Sequence, residues 1–450
     1  MFKKVLIANR GEIALRVVRA CRELGVRSVV VHSTRDRDSA AVDLADESVQ
    51  IGPPQPKKSY LNAAAVLEAA LRTGAQAIHP GYGFLSEDPD FAEACEAEGL
   101  VFIGPPAAAM KQLGSKQSAR SLMAAAGLPL LPGSLDELDE DSALRLAEHI
   151  GFPVIVKASA GGGGRGMQVV EERERFLSQY RDTQATARML FGDGSVYVEK
   201  YLVAARHVEI QILCDGHGNA IHLGTRDCTV QRRHQKLIEE APAPGLPGEV
   251  VDELGRSALR AAQTAGYQGA GTFEFLAGPD GSCYFMEVNC RIQVEHPVTE
   301  MVTGIDLVAE QMRIASGEPL ALHQGEVALR GAAIECRINA EDPDRGFAPA
   351  PGLLREFVPA AGPFVRVDTH MRSGAAIAPE YDSLIAKLIV WSPDRGGAIS
   401  RMQQALGEFR IAGEGVRTTR DFLRQVLDRT EFREARHSTS LVGQMTESQG

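Results

Sequence analysis

The first hundred residues alternate between short apolar runs and longer stretches whose apolar residues recur with helical spacing. The runs predict strands and the longer stretches predict helices. In chain order we predict strand 4–8, helix 11–24, strand 28–32, helix 61–72, strand 75–79 and strand 101–103. This alternation is typical of a parallel sheet covered by helices. No GxGxxG follows the first strand, so the usual dinucleotide-binding fingerprint is missing from its expected place.

The pattern changes after an acidic stretch at 136–141. Two strand-like runs flank a glycine run, and a polar helix over 172–189 and a strand over 195–199 follow them. Beyond residue 204 we predict strands at 208–213 and 220–225, and helices at 249–265 and near 397–409. The expected fold is therefore mixed α/β and α+β, with a parallel, Rossmann-like α/β lobe over 1–113, a mobile lid over 131–203 and a mixed C-terminal lobe over 204–450.

Composition narrows the functions open to the chain. Its 450 residues are 44% hydrophobic and 24% charged, which is ordinary for a globular protein but too long for one simple core. The net charge of -11 argues against nucleic acid or an anionic membrane as a partner. No run is long and apolar enough to span a bilayer. The seven cysteines are scattered singly, which indicates reduced thiols and a cytoplasmic location.

The glycine run, Gly161–Gly166, contains GxGxxG by position, but that match is weak on its own. The run joins two strands rather than opening a helix, so we interpret it as a hairpin tip. A tip without side chains can fold its amides closely over phosphate oxygens. Lys157, in the entering strand, is placed to meet those phosphates. The alternative is a flexible surface turn.

Two carboxylates are predicted to face each other on a later hairpin. The strand-like runs 271–276 and 282–289 are separated by a turn sequence, and Glu274 and Glu287 would be opposed in a turn centred between 280 and 281. Like charges opposed across a ladder are destabilising, so the pair calls for a cation. Mg²⁺ suits carboxylate oxygens and substrate phosphates. The alternative is a solvated polar face with a different register.

One face of the next segment is polar throughout. The odd positions from Glu287 to Glu295 are all polar, whereas the even positions between them are apolar or cysteine. If the segment is extended, the polar side chains share one face and Pro297 ends the strand. Arg291 then offers a donor fork for an oxyanion, and Glu295 offers a carboxylate base.

The basic run 231–236 adds local positive charge in an acidic protein. A solvated, salt-bridged face is the usual meaning of such a run. Beside a phosphate flap and a carboxylate pair, we favour an anion site.

These motifs together resemble the biotin carboxylase family of ATP-grasp enzymes, the first catalytic component of acetyl-CoA carboxylase and its relatives. The resemblance runs nearly end to end and is carried by residues 7–14, 79–87, 157 with the glycine run, 231–236 with 239–245, 291–300 and 335–343. It implies ATP-dependent carboxylation of biotin by bicarbonate through carboxyphosphate, with Mg²⁺ or Mn²⁺ as the metal.

The resemblance also implies roles for individual residues. ATP is assigned to Lys116, Lys157, Gly161, Gly162, Gly163, Gly164, Gly166, Met167, Glu199, Lys200, Leu202, His207, Gln231 and His234. The metal is assigned to Glu274, Glu287 and Asn289. Bicarbonate is assigned to Lys236, Arg291, Gln293 and Val294, with Glu295 as the general base. Arg337 would stabilise an enolate-like biotin, with Tyr82 beside it.

The expected partners follow from the same resemblance. The chain lacks a biotin attachment motif, since Ala109-Met110-Lys111 is followed by Gln112, so biotin must come from a carrier protein or another domain. Carboxyltransferase subunits are expected partners, but the sequence does not encode the final carboxyl acceptor. Helical spacing puts Glu12, Arg16, Arg19 and Glu23 on one face of the first helix, and spacing alone favours a solvated face there. The resemblance implies instead that this helix forms a homodimer together with Phe364 and Arg366.

Two alternatives to this function remain open. Another ATP-grasp ligase could form an acyl phosphate from a different carboxylate, although the Arg291–Glu295 face and Arg337 argue against it. A non-catalytic nucleotide-binding paralogue would usually have lost a metal or base residue.

Overall fold

A five-stranded parallel sheet forms the N-terminal part of the chain, as predicted. The computed structural model describes residues 1–134, 138–159 and 166–447, with the backbone alone at 116 and 117. The strands, in spatial order β3-β2-β1-β4-β5, are β1 (Lys4–Ile7), β2 (Arg27–Ser33), β3 (Glu47–Gly52), β4 (Ala77–His79) and β5 (Val101–Phe102). The helices are α1 (Gly11–Glu23), α2 (Ala40–Leu44), α3 (Ala63–Thr73), α4 (Pro89–Ala97), α5 (Ala107–Gly114) and α6 (Lys116–Ala125).

Local chemistry explains where several of these helices begin and end. The Asp88 side chain accepts hydrogen bonds from the first amides of α4, and Pro89 occupies the first helical position. Asn62 caps α3 in the same way, and that helix ends at Gly74 in the left-handed conformation. The prediction omitted β3 and α4. Strand β3 alternates polar and apolar residues instead of forming an apolar run, and α4 spans only nine residues.

Helix α1 is more deeply buried than predicted. Glu12 and Arg16 are 5% and 7% exposed, so they do not belong to a solvated face with Arg19 and Glu23, which are exposed. The Arg16 guanidinium donates to Glu300 at 2.8 Å and to Asp306 at 2.6 Å. The helix therefore ties the N-terminal lobe to the C-terminal lobe.

The predicted lid contains a three-stranded antiparallel sheet in the order β7-β6-β8. Its elements are α7 (Glu140–Ile150), β6 (Val154–Ala158), β7 (Met167–Val170), α8 (Phe176–Phe191) and β8 (Val196–Lys200). The two strands on either side of the glycine run pair with each other, as predicted. Gly161, Gly162, Gly163 and Gly164 lie outside the described residues, as do residues 136 and 137 of the acidic stretch.

An eight-stranded antiparallel sheet dominates the rest of the chain, in the order β13-β12-β9-β10-β11-β14-β19-β18. Its strands are β9 (Arg206–Cys214), β10 (Ala220–Arg232), β11 (Gln235–Ala241), β12 (Gly269–Ala277), β13 (Cys283–Asn289), β14 (Ala332–Asn339), β18 (Val365–Asp368) and β19 (Leu384–Ser392). Two small sheets pair β15 (Glu341–Asp342) with β16 (Ala348–Pro349), and β17 (Leu353–Val358) with β20 (Arg410–Glu414).

The helices of this region are α9 (Gly248–Thr264), α10 (His296–Thr303), α11 (Leu307–Ala315), α12 (Arg395–Glu408), α13 (Arg420–Asp428), α14 (Thr430–Arg433) and α15 (Leu441–Glu447). Helices α12 and α13 pack against the β14 and β19 side of the sheet and bury a large apolar core there. In the described part of the chain no helix combines the length and apolarity needed to cross a membrane. All seven cysteines are buried free thiols. The mixed architecture confirms the predicted fold class.

Candidate active site

A large cleft of about 980 Å³ opens between the N-terminal lobe, the lid and the large sheet. Its walls include Tyr82 from the first, Lys157 and Lys200 from the second, and Lys236 and Arg337 from the third. The volume is near the upper end of the range for small-molecule sites. The cleft therefore gathers cationic side chains from separate parts of the chain around one space.

The hairpin of β12 and β13 places Glu274 and Glu287 directly opposite each other, as predicted. Both line the cleft with Asn289. The Glu274 carboxylate is 4% exposed and accepts hydrogen bonds from Asn289 Nδ2 at 2.8 Å and from Lys236 Nζ at 3.0 Å. Two opposed carboxylates and an amide oxygen on one wall form a hard, oxygen-only donor set, which fits Mg²⁺ or Mn²⁺.

The opposition of the two carboxylates depends on a bulge in β13. Ala277 lies opposite Cys283, so the turn is centred on Asp280, not between 280 and 281 as predicted. The register shifts between the Glu274 pair and the next pair, because Met286 is an extra residue on β13. Without that residue, Glu287 would slip out of register with Glu274.

The segment after β13 is not extended to residue 295, which corrects the prediction. Strand β13 ends at Asn289, a bent segment follows, and α10 begins at His296 with Pro297 in its first turn. Proline is favoured there because the first helical amides lack partners within the helix. Pro297 therefore begins a helix instead of ending a strand.

The polar residues of this bent segment nevertheless converge. The Arg291 guanidinium donates to Gln293 Oε1 at 2.9 Å and to Asn289 Oδ1 at 3.2 Å, and its Nε donates to Glu87 at 2.9 Å. Arg291, Gln293 and Val294 line the cleft. The predicted anion-binding residues are therefore together, held by a turn and not by a strand.

Lys236 is the centre of the site. Its ammonium is 12% exposed and lies 2.5 Å from Glu295, 2.8 Å from Glu209 and 3.0 Å from Glu274. The residue follows the tight turn of the β10–β11 hairpin, where Arg233 and His234 have positive φ. The basic run is thus a hairpin tip that directs one lysine into a cluster of carboxylates, and not simply a solvated face.

The charges in this cluster stabilise one another. Burial alone would raise the pKa of Glu295, but Lys236 and Arg337 hold that pKa well below its usual value. Burial would likewise raise the pKa of Glu274, and Lys236 and His207 lower it. Burial opposes charge on Lys236 too, yet the neighbouring carboxylates raise its pKa well above the ordinary value. All three groups are therefore charged at neutral pH.

Arg337 lies on the other side of Glu295. Its guanidinium is 2.9 Å from Glu295 Oε2 and 2.6 Å from Glu239 Oε1. Tyr82 lines the same part of the cleft and donates its hydroxyl to Glu12 in a short hydrogen bond. The loop carrying Tyr82 is held by the Asn9 amide, which donates to the backbone oxygens of Pro80 and Tyr82 at 2.7 and 2.8 Å. Two separate lobes thus present Arg337 and Tyr82 to one end of the cleft.

The residues assigned to ATP lie toward the lid. Those that line the cleft are Lys157, Met167, Lys200, Leu202, His207, Gln231 and His234. Gly166 has a left-handed φ of 70°, and its carbonyl accepts the Ala158 amide at 2.8 Å. The Lys116 side chain lies outside what the structure describes; its backbone begins α6.

The Glu199 side chain does not line the cleft. It is 3% exposed and is bound by Lys157 at 2.6 Å and by Arg120. Its backbone lies in β8, the strand whose end leads to Lys200 and Leu202 in the cleft wall. That Glu199 binds the nucleobase of ATP stays a prediction, and its backbone atoms would make the contact.

Sequence reasoning missed several supporting residues. Arg226 is fully buried and donates to Glu209, to Gln211 at 2.8 Å and to Thr299 at 2.9 Å. The alternation of His207, Glu209 and Gln211 along β9 places the three on one sheet face, which is a signal that could have been found. Arg226 gave no comparable local signal.

Family comparisons cover nearly the whole chain. Residues 1–110 match the family described as biotin carboxylase, N-terminal domain, and residues 335–444 match the biotin carboxylase C-terminal domain. Residues 115–323 match the ATP binding domain of the carbamoyl-phosphate synthase L chain. A biotin carboxylase from Nostoc sp. is 53% identical over 445 residues, with 99% of each chain covered.

Solved structures with the same fold carry ligands. The biotin carboxylase domain dimer of Hydrogenobacter thermophilus 2-oxoglutarate carboxylase, in complex with MgADP, ADP and bicarbonate, superimposes with a TM-score of 0.94 at 46% identity, covering 99% of this chain and 98% of that one. A biotin carboxylase from Campylobacter jejuni in complex with β,γ-ATP gives a TM-score of 0.95 at 44% identity, with 99% of both chains covered.

Proposed function

The chain belongs to the biotin carboxylase family, and we propose that its cleft carboxylates biotin with bicarbonate in a reaction that converts ATP to ADP and phosphate. The observation that carries this proposal is the position of Lys236. One ammonium lies within 3.0 Å of both Glu274, on the metal side, and Glu295, the proposed base. Arg337 lies on the far side of the same base. The cleft therefore has one place where an anion bound to Lys236 could meet the metal side, a base and a second cation, Arg337.

Bicarbonate is proposed to bind between Arg291 and Lys236. A guanidinium fork and an ammonium are strong donors to a small oxyanion. Gln293 and the backbone of Val294 complete the pocket, and the Val294 carbonyl is fixed by the buried Lys387 ammonium at 2.8 Å. This arrangement would hold one bicarbonate oxygen toward the nucleotide end of the cleft.

Glu295 is proposed to take the bicarbonate proton. Its pKa is well below the usual value, because Lys236 and Arg337 outweigh the effect of burial. An anion bound on Lys236 draws on the same positive charge, so it raises the pKa of Glu295 toward the value that a base needs. Glu295 would therefore become a strong enough base to take the proton only when bicarbonate is bound.

Two steps follow from this placement. A bicarbonate oxygen attacks the γ-phosphorus of ATP, so a P–O bond forms to give carboxyphosphate and the bond to ADP breaks. Carboxyphosphate then separates into CO₂ and phosphate, the phosphate takes the N1 proton of biotin, and N1 adds to CO₂. Closure of the lid over the cleft would keep water from carboxyphosphate.

The metal and the biotin end have assigned residues. Glu274, Glu287 and Asn289 would hold Mg²⁺ or Mn²⁺, which would neutralise negative charge on the phosphate oxygens. Arg337 would stabilise negative charge on the biotin oxygen as N1 loses its proton. Tyr82 would lie beside the ring, positioned by Glu12.

Partners and boundaries are part of the same proposal. We propose that biotin arrives on a carrier protein and that carboxyltransferase subunits use the product. We also propose a homodimer and retain the division into 1–113, 131–203 and 204–450, which is supported by a separate sheet in each range. A cytoplasmic location stays a prediction. The two alternatives, a different acyl-phosphate ligase and a non-catalytic paralogue, gain no support from the relatives described above.

The proposal is tested by mixing the protein with ATP, Mg²⁺, bicarbonate and free biotin and measuring ADP release. We expect ADP release to require bicarbonate and to rise when biotin is added. ADP release that ignores biotin would favour another acyl-phosphate ligase, and no release would favour a non-catalytic paralogue.

A further inference from the structure

Arg337 is bound by two buried carboxylates that make different sets of hydrogen bonds. Glu295 uses Oε2 for Arg337 at 2.9 Å and Oε1 for Lys236 at 2.5 Å. Glu239 uses Oε1 for Arg337 at 2.6 Å, and its other oxygen has no hydrogen-bond partner among the described residues. Glu295 is therefore shared between two cations, whereas Glu239 serves Arg337 alone.

The geometry leaves part of the guanidinium for substrate. Glu239 and Glu295 engage Arg337 through Nε and Nη2, and within the described residues Nη1 has no protein acceptor. Arg337 lines the cleft, while both carboxylates are fully buried. The two carboxylates thus bind the guanidinium on its buried side and leave Nη1 as the donor without a protein acceptor among the described residues.

The hold on Arg337 changes during the proposed reaction. When Glu295 takes the bicarbonate proton, it becomes a neutral acid and its charge-assisted bond to Arg337 weakens. Glu239 is then the one carboxylate still bonded to Arg337 among the described residues. Its bond would keep the guanidinium in place while the positive charge becomes less compensated, at the stage when negative charge develops on biotin.

We propose that Glu239 is a positioning residue, which keeps the Arg337 guanidinium directed at the biotin site after Glu295 has become protonated. This inference rests on the proposed function. It assigns Glu239 a role only in the half of the reaction that involves biotin, because among the described residues Glu239 forms a hydrogen bond and ion pair with Arg337 and none with Lys236, Arg291 or Glu274. It also explains why the base and the biotin-facing arginine share one network.

The sheet supplies a matched control for Glu239. Glu335 lies directly opposite Glu239 in the β11–β14 register and is equally buried. Neither Glu335 carboxylate oxygen has a hydrogen-bond partner among the described residues. Burial raises the pKa of Glu335 well above its usual value, which favours the neutral acid, and the neutral acid resembles glutamine in charge and shape. Burial raises the pKa of Glu239 as well, to about 7, although Arg337 opposes that rise.

A proton on Glu295 would also favour the ionised form of Glu239. The two carboxylates repel each other across one guanidinium, so neutralising Glu295 removes a cause that raises the pKa of Glu239. Glu239 would then bind Arg337 more strongly at the stage when Glu295 binds it less.

The experiment compares Glu239→Gln and Glu335→Gln with the unmodified protein in two assays. The first is bicarbonate-dependent ADP release without biotin, and the second is carboxylation of free biotin with kcat and KM measured for biotin. For Glu239→Gln we expect a fall of about tenfold or more in biotin carboxylation, the scale of losing an orienting partner. ADP release without biotin and the KM for bicarbonate should stay within about twofold, and Glu335→Gln should match the unmodified protein in both assays.

Three outcomes would overturn the inference: wild-type rates in Glu239→Gln, an equal fall in both of its assays, or the same biotin defect in Glu335→Gln. If Glu239→Gln does not fold, Glu239→Asp serves instead, because it keeps the charge but withdraws the carboxylate by one methylene. A selective biotin defect in that variant supports the inference, and its absence refutes it. If the unmodified protein fails to carboxylate biotin, the proposed function itself is wrong and the inference falls with it.

Discussion

Replacing Lys236 by methionine should lower kcat/KM for bicarbonate by about 10²- to 10³-fold, the loss typical of one preorganised donor to a reacting oxyanion. The side chain is 12% exposed, so its charge acts in a largely desolvated place. It lies 2.5 Å from Glu295 and 3.0 Å from Glu274. It is also the main influence that lowers the pKa of both carboxylates. Its removal therefore affects the anion, the base and the metal side together.

The assay is ADP release at varied bicarbonate with saturating ATP and Mg²⁺. Lys200→Met is the matched control, because it removes the same charge from the same cleft, where Lys200 Nζ instead donates to the Gly151 carbonyl at 2.8 Å. That variant should alter the KM for ATP and leave the KM for bicarbonate within about twofold. A thermal unfolding scan is needed as well, because an uncompensated buried carboxylate costs about 3–5 kcal/mol. The reasoning is refuted if folded Lys236→Met keeps kcat/KM for bicarbonate within about threefold of wild type.

Three further predictions follow from the same contacts. Glu274→Gln and Glu287→Gln should each raise the Mg²⁺ concentration for half-maximal ADP release at least ~10-fold. Asp280→Asn, in the exposed turn of the same hairpin, should leave that concentration unchanged. Equal Mg²⁺ curves for all three variants would contradict the metal assignment. Lys157→Met should raise the KM for ATP about tenfold or more with little change in the KM for bicarbonate, and a bicarbonate-specific defect would contradict its place at the phosphates. Burial opposes the charge on Asp227, but His437 and Arg206 lower its pKa. The stabilisation by ionised Asp227 is therefore present above pH ~4 and lost as pH falls further. The melting temperature of wild type should drop more steeply between pH 5 and 3 than that of Asp227→Asn, and parallel curves would contradict this.

Local patterns predicted those parts of the site that lie close in sequence. Glu274 and Glu287 belong to one hairpin, so a turn sequence and period-two geometry were enough to pair them. The pairing was correct although the turn is centred on Asp280, because Met286 adds one residue to β13. Two small errors cancelled, and no pattern in the sequence marks that bulge.

The bent segment shows how a pattern can predict contacts without predicting shape. Polar and apolar positions alternate through Glu295, which favoured a strand, yet the backbone leaves the sheet after Asn289. Arg291 and Gln293 converge because they bond to each other at 2.9 Å in a turn. The alternation correctly singled out Arg291 and Gln293 as cleft residues, but Val294 lines the cleft as well and Glu295 lies buried behind it. The path of the backbone was decided by the start of α10.

The residues that prediction missed are brought together by tertiary structure. Arg226 and Glu209 lie on adjacent strands, and Arg226 is also bonded to Thr299 in α10, 73 residues away in sequence. Glu12 reaches Lys387 at 3.1 Å across the lobe boundary. Such contacts depend on the order of strands in the large sheet, which no local pattern specifies. The family resemblance supplied the residues that are proposed to touch substrates and left out the buried network that holds them.

The central claim is that bicarbonate, activated beside Lys236 and Glu295, attacks the γ-phosphorus of ATP. The most direct measurement is a reaction with ¹⁸O-labelled bicarbonate, ATP, Mg²⁺ and biotin, followed by mass analysis of the phosphate released. Attack by bicarbonate predicts one ¹⁸O atom in each phosphate and two ¹⁸O atoms in each carboxyl group on biotin. Phosphate without label would mean that water attacks ATP, which would contradict the proposed role of bicarbonate as the nucleophile.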